Sequence, residues 1–245
     1  MRDTYINARL RGVGNLKLTP RLKIIADSVK GFDTLADIGS DHAYIPIYTV
    51  RNGWVKSAVA TDVNSGPAEI SRERIRNYEL ESRICVRQGN GLQVLNSGEA
   101  EVIIIAGMGG ILIRDILDKG AKVAESAKVL ILQPMRDSEK VRAWLFEHGF
   151  EIIDEELVRD QGKIYEVIWS KPGGEARDAK RPLFIGDRLI EKKHPLLAEF
   201  ISRRINELEK VMVALEDANS DKCRERAEEC KAMLVYYREV AEWVR

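Results

Sequence analysis

Short apolar runs alternate with helical periodicities along most of the chain. Thr34 to Ile38, Ser57 to Thr61, Ile84 to Arg87, Val102 to Ala106 and Val129 to Leu132 are brief, mostly apolar and rich in β-branched residues, the pattern of parallel strands buried on both faces. Between them, Ile45 to Asn52, Pro67 to Leu80, Gly110 to Asp118 and Ser138 to His148 carry helical spacing. The repeating unit is βαβ, which predicts an α/β fold around a mostly parallel sheet. Ahead of the first strand, Thr19-Pro20 joins an N-cap residue to a proline at the first helical position. Leu22, Ile25, Ala26 and Val29 then recur at helical intervals and predict a helix over about 20–30. At the far end, Glu151 to Val158 and Ile164 to Ser170 flank a short polar link containing Gly162, which predicts a hairpin forming an antiparallel pair at the sheet edge.

Lys171-Pro172-Gly173-Gly174 is the clearest composition break and marks the expected domain boundary. Beyond it, Pro195 opens a helix with Ile201, Ile205, Leu208, Met212 and Leu215 on one stripe. After the cap-like Asn219-Ser220-Asp221, Cys223, Ala227, Cys230, Leu234, Tyr237, Ala241 and Val244 continue the same spacing. Two such stripes predict an antiparallel helical hairpin of coiled-coil type, with both cysteines packed in its core rather than ligating metal.

The chain has 245 residues, 44% apolar, with 39 basic and 39 acidic side chains, enough to bury a core without disulfide or metal staples. No apolar run approaches the roughly 20 residues needed to span a bilayer, and Met1 to Gly14 lacks the apolar stretch of a secretory signal. Cys85, Cys223 and Cys230 form no CxxC pair, and the histidines show no ligand spacing, so the expectation is a cytoplasmic protein with reduced thiols and no metal. The zero net charge hides a basic start: Arg2, Arg9, Arg11, Lys17, Arg21, Lys23 and Lys30 face only Asp3 and Asp27. That segment reads either as a solvated tail with its first helix or as a phosphate-contacting arm.

The informative stretch is Thr34-Leu-Ala-Asp-Ile-Gly-Ser-Asp-His-Ala-Tyr-Ile-Pro46. A strand ends in Asp37, turns at Gly39 and Ser40, and gives way to a helix, the place where an open α/β sheet holds a nucleotide-like ligand. The loop departs from the dinucleotide fingerprint GxGxxG, because Asp41 falls where its second glycine would be and Ala43 beyond it is no glycine either. A carboxylate at Asp41 repels a diphosphate and suits a ligand bearing positive charge, such as S-adenosylmethionine. The second strand leads to Asp62, which can accept from both ribose hydroxyls; the third leads to Gln88-Gly89-Asn90-Gly91, where Asn90 can accept from an adenine amino group. For Asp37 or Asp62 alone, a turn or helix cap is the structural alternative. The fourth strand ends in Ala106-Gly107-Met108-Gly-Gly110, whose glycines allow backbone to approach a ligand, with Met108 packing at the pocket.

These segments, with Leu18-Thr-Pro-Arg-Leu22, Ile131-Leu-Gln-Pro134 and Gly-Lys-x-Tyr-Glu-Val from Gly162 to Val167, occur in the order found in the bacterial TrmK family, the tRNA (adenine-22-N1)-methyltransferases. The chain resembles that family over about 16–245. The resemblance implies a class I, Rossmann-like methyltransferase domain over 16–174 and a C-terminal helical coiled-coil domain over 175–245, with 1–15 as an extension. It implies S-adenosylmethionine as methyl donor, S-adenosylhomocysteine as product and tRNA as substrate. By matching position, Arg21 looks like a contact to the methionine carboxylate, Asp37, Gly39 and Ser40 line the donor, Asp62 holds the ribose and Gln88 to Gly91 border the adenine. Asn90 departs from the family's usual Asp; it keeps an acceptor but loses a charge.

Adenine N1 carries a ring lone pair at neutral pH, so methylation there requires placement and charge stabilisation rather than a strong base. Asp41 is the candidate for orienting the adenine amino group and countering the developing charge, with His42 as a second candidate and Tyr44 bordering the base. RNA contacts are expected from Arg203, Arg204, Lys210, Arg224 or Arg226 on the hairpin, the alternative being a solvated face. A nicotinamide-dependent oxidoreductase and a non-catalytic RNA-binding scaffold are the competing functional readings, and a monomer is the expected state.

Overall fold

The computed structural model describes residues 16–176, 182–216 and 221–244. Thr19 is extended at φ −65° and its Oγ1 accepts from the Leu22 N–H at 3.5 Å, while Pro20 occupies the first position of helix α1 (Pro20–Asp27), where a missing N–H costs no helical bond. The sheet contains β1 (Thr34–Ile38), β2 (Ser57–Asp62), β3 (Ile84–Gln88), β4 (Val102–Met108), β5 (Val129–Pro134), β6 (Phe150–Asp160) and β7 (Lys163–Pro172), in the order β3-β2-β1-β4-β5-β7-β6. The first five strands are parallel, and β7 runs antiparallel to both β5 and β6. The β6–β7 link is a two-residue turn with Gln161 at φ 47° and Gly162 at φ 77°, the double positive φ that matches the twist of paired strands. Its second strand, rather than its first, joins the parallel sheet.

Helices α2 (Tyr44–Arg51), α3 (Ser65–Asn77), α4 (Gly110–Lys119), α5 (Ala121–Ser126) and α6 (Ser138–Glu147) fill the crossovers. Alternate residues of β4 supply opposite layers: Ile103 and Ile105 join Ile113, Leu117 and Trp144 on one face, while Ile104 joins Ile25, Ile47 and Val50 on the other. The short α5 follows Gly120 without a cap or an apolar stripe, so the sequence pattern does not announce it.

A third core lies on the edge hairpin. Leu157 of β6 packs with Leu189 of α7 (Asp187–Glu191), with Leu197, Phe200 and Ile201 of α8 (Leu197–Glu216), and with Cys230, Leu234, Tyr237 and Val240 of α9 (Asp221–Val244). Cys230 is fully buried there and Cys223 is half-buried. Beside this core, Arg142 of α6 is buried with two carboxylates: Nε donates to Glu155 at 2.7 Å, Nη2 to Glu166 at 2.5 Å and Nη1 to the Leu183 carbonyl at 3.0 Å. The two carboxylates hold the Arg142 guanidinium in its charged form against desolvation. The basic segment Met1 to Asn15 and the Asn219-Ser220 turn lie outside the described residues.

Candidate active site

Strand register places the site. Ile38 pairs with Thr61 and Ile105, Thr61 with Arg87, and Ile105 with Leu132. One step further along, Gln133, Ala106, Gly39, Asp62 and Gln88 therefore fall in a row at the carboxyl edge of five parallel strands. Backbone bonds extend that edge: Ser40 N–H donates to the Thr61 carbonyl at 2.8 Å and Gly89 N–H to the Asp62 carbonyl at 2.9 Å. Chain order reverses between β1 and β4, and the crevice opens there.

A cavity of about 260 Å³ occupies the crevice, walled by Arg21, Leu22, Asp37, Gly39, Ser40, Asp41, Tyr44, Ile45, Ala106, Gly107 and Met108. Asp37 is 6% exposed, and desolvation pushes its carboxyl up to about 6; the neighbouring Asp41 charge adds to the rise and the Ser40 hydroxyl, donating to Asp37 Oδ2, opposes it. Across the cavity, Arg21 Nη1 donates to Gln133 Oε1 at 2.6 Å, and its guanidinium lies 5.4 Å from the Tyr165 ring and 4.0 Å from Asp160. The same Gln133 oxygen accepts from the Gly107 N–H at 3.2 Å, while its Nε2 donates to the Pro134 carbonyl at 2.9 Å. This fully buried amide fixes both the guanidinium and the β4 turn. A buried carboxylate facing one oriented guanidinium suits a ligand carrying an ammonium and a carboxylate, the two ends of an α-amino acid.

Between β1 and α2 the chain adopts left-handed conformations without glycine: His42 has φ 60° and Ala43 φ 52°. Asp41 projects its carboxylate to solvent at the cavity mouth, 81% exposed, with Oδ1 3.2 Å from His42 Nε2. His42 Nδ1 is buried without a hydrogen-bond partner, and the ring is not part of the cavity wall. Tyr44 is covered on one side by Arg74, whose guanidinium carbon is 4.2 Å from the ring centroid.

The remaining candidates lie further along the edge, outside this wall. Asp62 Oδ1 accepts from the Asn64 N–H at 2.8 Å, so the turn alternative holds for one of its oxygens. Gln88 Nε2 donates to the Val63 carbonyl at 3.4 Å, and the side chain of Asn90 is exposed. Of the glycines at the end of β4 and beyond, Gly107 takes φ 80°, where glycine is favoured, and a Cβ on Gly110 would lie 2.0 Å from the Asp137 carbonyl oxygen; backbone conformation accounts for the first and backbone packing for the second. A larger cavity of about 340 Å³ lies between α6, β6 and α7, but its Glu155 is already engaged by Arg142 and by the Arg188 N–H.

A family profile described as tRNA (adenine(22)-N(1))-methyltransferase, TrmK, matches residues 35–236. The chain belongs to the TrmK family. The Bacillus subtilis (strain 168) tRNA (adenine(22)-N(1))-methyltransferase is 37% identical over 204 residues, covering 80% of this chain and 84% of that one. The crystal structure of B. subtilis TrmK superposes with a TM-score of 0.82 at 31% identity, over 93% of this chain and 100% of that one. A Streptococcus pneumoniae chain crystallised in complex with S-adenosyl-L-methionine gives 0.79 at 32% identity, over 92% and 100%. The α/β sheet with one antiparallel edge is thus the TrmK Rossmann-like architecture.

Within this TrmK chain, sequence reasoning singled out nine of the cavity-lining residues but gave Gln133, Arg74 and Asp160 no role. Gln133 had a signal, since it sits inside the Ile131-Leu-Gln-Pro134 motif. Arg74 and Asp160 had none: their partners are 30 and more positions away, and no spacing links them.

Proposed function

We infer that this chain transfers a methyl group from S-adenosylmethionine to N1 of adenine 22 in tRNA, acting as a cytoplasmic monomer with a catalytic unit over 16–174 and a helical unit over 175–245. The observation that carries the reading is that buried Asp37 and Gln133-aimed Arg21 line one cavity in the β1–β4 crevice. Arg21 holds the methionine carboxylate and Asp37 the ammonium. Asp62, with one oxygen beyond its bond to Asn64, accepts from the ribose, while Gln88, Gly89, Asn90 and Gly91 border the adenine. When bound, S-adenosylmethionine supplies an electrophilic methyl group on a sulfonium.

On the acceptor side the chain supplies placement and a countercharge. Asp41 at the mouth orients the adenine amino group and offsets the positive charge that develops on the ring. His42 is held beside it, and Tyr44, braced by Arg74, borders the base. The same acidic mouth opposes a diphosphate, which weighs against a nicotinamide cofactor.

Incubation with labelled S-adenosylmethionine and bulk tRNA, followed by digestion to nucleosides, should yield labelled 1-methyladenosine. A transcript with adenine 22 replaced by guanine should give none. No transfer to any tRNA would favour the scaffold reading, and label retained in the substituted transcript would move the target position.

A further inference from the structure

One outer face combines positive charge with aromatic rings. Helix α2 buries Ile45, Ile47, Thr49 and Val50 and leaves Tyr44, Tyr48 and Arg51, spaced i, i+4, i+7, on its outward side. Tyr44 lines the cavity, so this face begins at the site and runs outward for roughly 12 Å at 1.5 Å per residue. A cation lies over each ring along it. Besides Arg74 on Tyr44, Lys23 lies 5.9 Å from the Tyr48 centroid, Arg51 5.3 Å from Tyr78, and Lys30 4.0 Å from Trp54. Tyr48, Trp54 and Tyr78 rest their inner sides on the core. Between α1 and α2, Lys17, Lys23 and Arg51 border a groove of about 560 Å³.

The charges on this face are incompletely neutralised. Lys23 and Lys30 share a single carboxylate, Asp27, and Arg51 and Arg74 meet no carboxylate among the described residues. The helical hairpin is different. Arg204 pairs with Glu207, Arg224 with Asp221 and Arg226 with Glu229, one carboxylate for each cation, while Arg203 shares Glu199 with Arg159. The segment before Leu16 does not complement the α2 face, since it brings Arg2, Arg9 and Arg11 against Asp3.

We propose that the α1–α2 face, continuous from Tyr44 to Trp54, is where the body of the RNA substrate docks, its cations meeting backbone phosphates beside the nucleotide delivered to the site. The proposal rests on the tRNA reading above. Cations held against rings lose little freedom on meeting a phosphate, and a polyanion supplies what Asp27 alone does not.

The test is the full chain carrying Lys30→Glu and Arg51→Glu, with tRNA affinity measured across a salt series, S-adenosylhomocysteine affinity by calorimetry, and methylation kinetics. tRNA binding should weaken at least about tenfold at fixed salt, and the slope of log affinity against log salt should shrink by about 2. The loss should fall on KM for tRNA, with S-adenosylhomocysteine affinity unchanged. Arg224→Glu with Arg226→Glu on the hairpin, where each cation already has its own carboxylate, should leave tRNA affinity within about twofold. Unchanged affinity and slope in the first variant, or an equal loss in the hairpin variant, overturns the docking face. If the reversal variant misfolds, Lys30→Gln with Arg51→Gln gives the same readout with a smaller change. A wild-type chain that makes no 1-methyladenosine overturns the functional reading instead; one that makes it while the α2 variants bind normally overturns only this proposal.

Discussion

Asp37→Asn should stabilise the protein at neutral pH and leave it little changed in acid. The folded chain raises this carboxyl from the ordinary 3.8 to about 6, because burial withholds water from its charge and only the Ser40 hydroxyl compensates. The native state therefore binds the Asp37 proton more tightly than the unfolded state does. The associated stability is fully present below about pH 3.8 and is lost as pH rises through about 6. At roughly 1.4 kcal/mol for each tenfold change in proton affinity, the full loss is about 3 kcal/mol. Asparagine keeps the shape and an acceptor for Ser40 but has no charge to desolvate. Urea unfolding of both proteins at pH 4.5 and pH 7.5 isolates the effect, since any pH-independent cost of the substitution cancels between the two conditions. The advantage of the variant should grow by about 2 kcal/mol from the lower to the higher pH, or about 4–8 °C in Tm for a chain of this size. The variant should also bind S-adenosylhomocysteine poorly, and wild-type affinity should fall below pH 6 as Asp37 is neutralised. An advantage constant across the two pH values would refute the reasoning, because the buried carboxylate would then carry no ionisation penalty. Stability traded for a charge aimed at a ligand is the expected signature of a binding residue.

Asp41→Ala should leave S-adenosylhomocysteine affinity within severalfold while single-turnover methyl transfer falls at least about a hundredfold; equal loss of both would make Asp41 a residue for the methyl donor. Gln133→Leu should raise KM for S-adenosylmethionine with little change in kcat, and Arg21→Met should cost less in that background than in the wild type, by about 1 kcal/mol in a double-mutant cycle of binding. Additive costs would mean that Gln133 does not position Arg21. Arg142→Met should cost about 3–5 kcal/mol in urea unfolding at pH 7.5, because Glu155 and Glu166 are left buried without their cation. Adding Glu155→Gln and Glu166→Gln should recover much of that loss, and a single-variant cost below about 1 kcal/mol would sink the account.

The strands were legible because burial on both faces leaves runs of β-branched residues, and β1 ends where its apolar run ends. The next four strands continue one or two residues further, to Asp62, Gln88, Met108 and Pro134. Hydrophobicity reports burial, whereas pairing is a backbone property that persists through polar residues and glycine. Those extra residues border the crevice, so hydrophobic pattern is least informative where the chemistry is. Position in the sheet compensated: Asp37, Asp62 and Asn90 could be placed at strand ends without knowing any contact. The Arg142 network and the Gln133–Arg21 bond could not, since they join side chains up to 112 positions apart with no period.

The loop after β1 shows how far residue identity can substitute for geometry. Asp41 stands where the dinucleotide fingerprint has its second glycine and Ala43 follows two residues later, yet of the two only Ala43 has the left-handed backbone for which glycine is favoured, at a cost of roughly 1 kcal/mol or more. Asp41 shows no such strain and instead sets a carboxylate at the mouth of the cavity. The two departures therefore do different things. Ala43 preserves the turn, and Asp41 changes which ligand the turn can face, from a diphosphate to a cation.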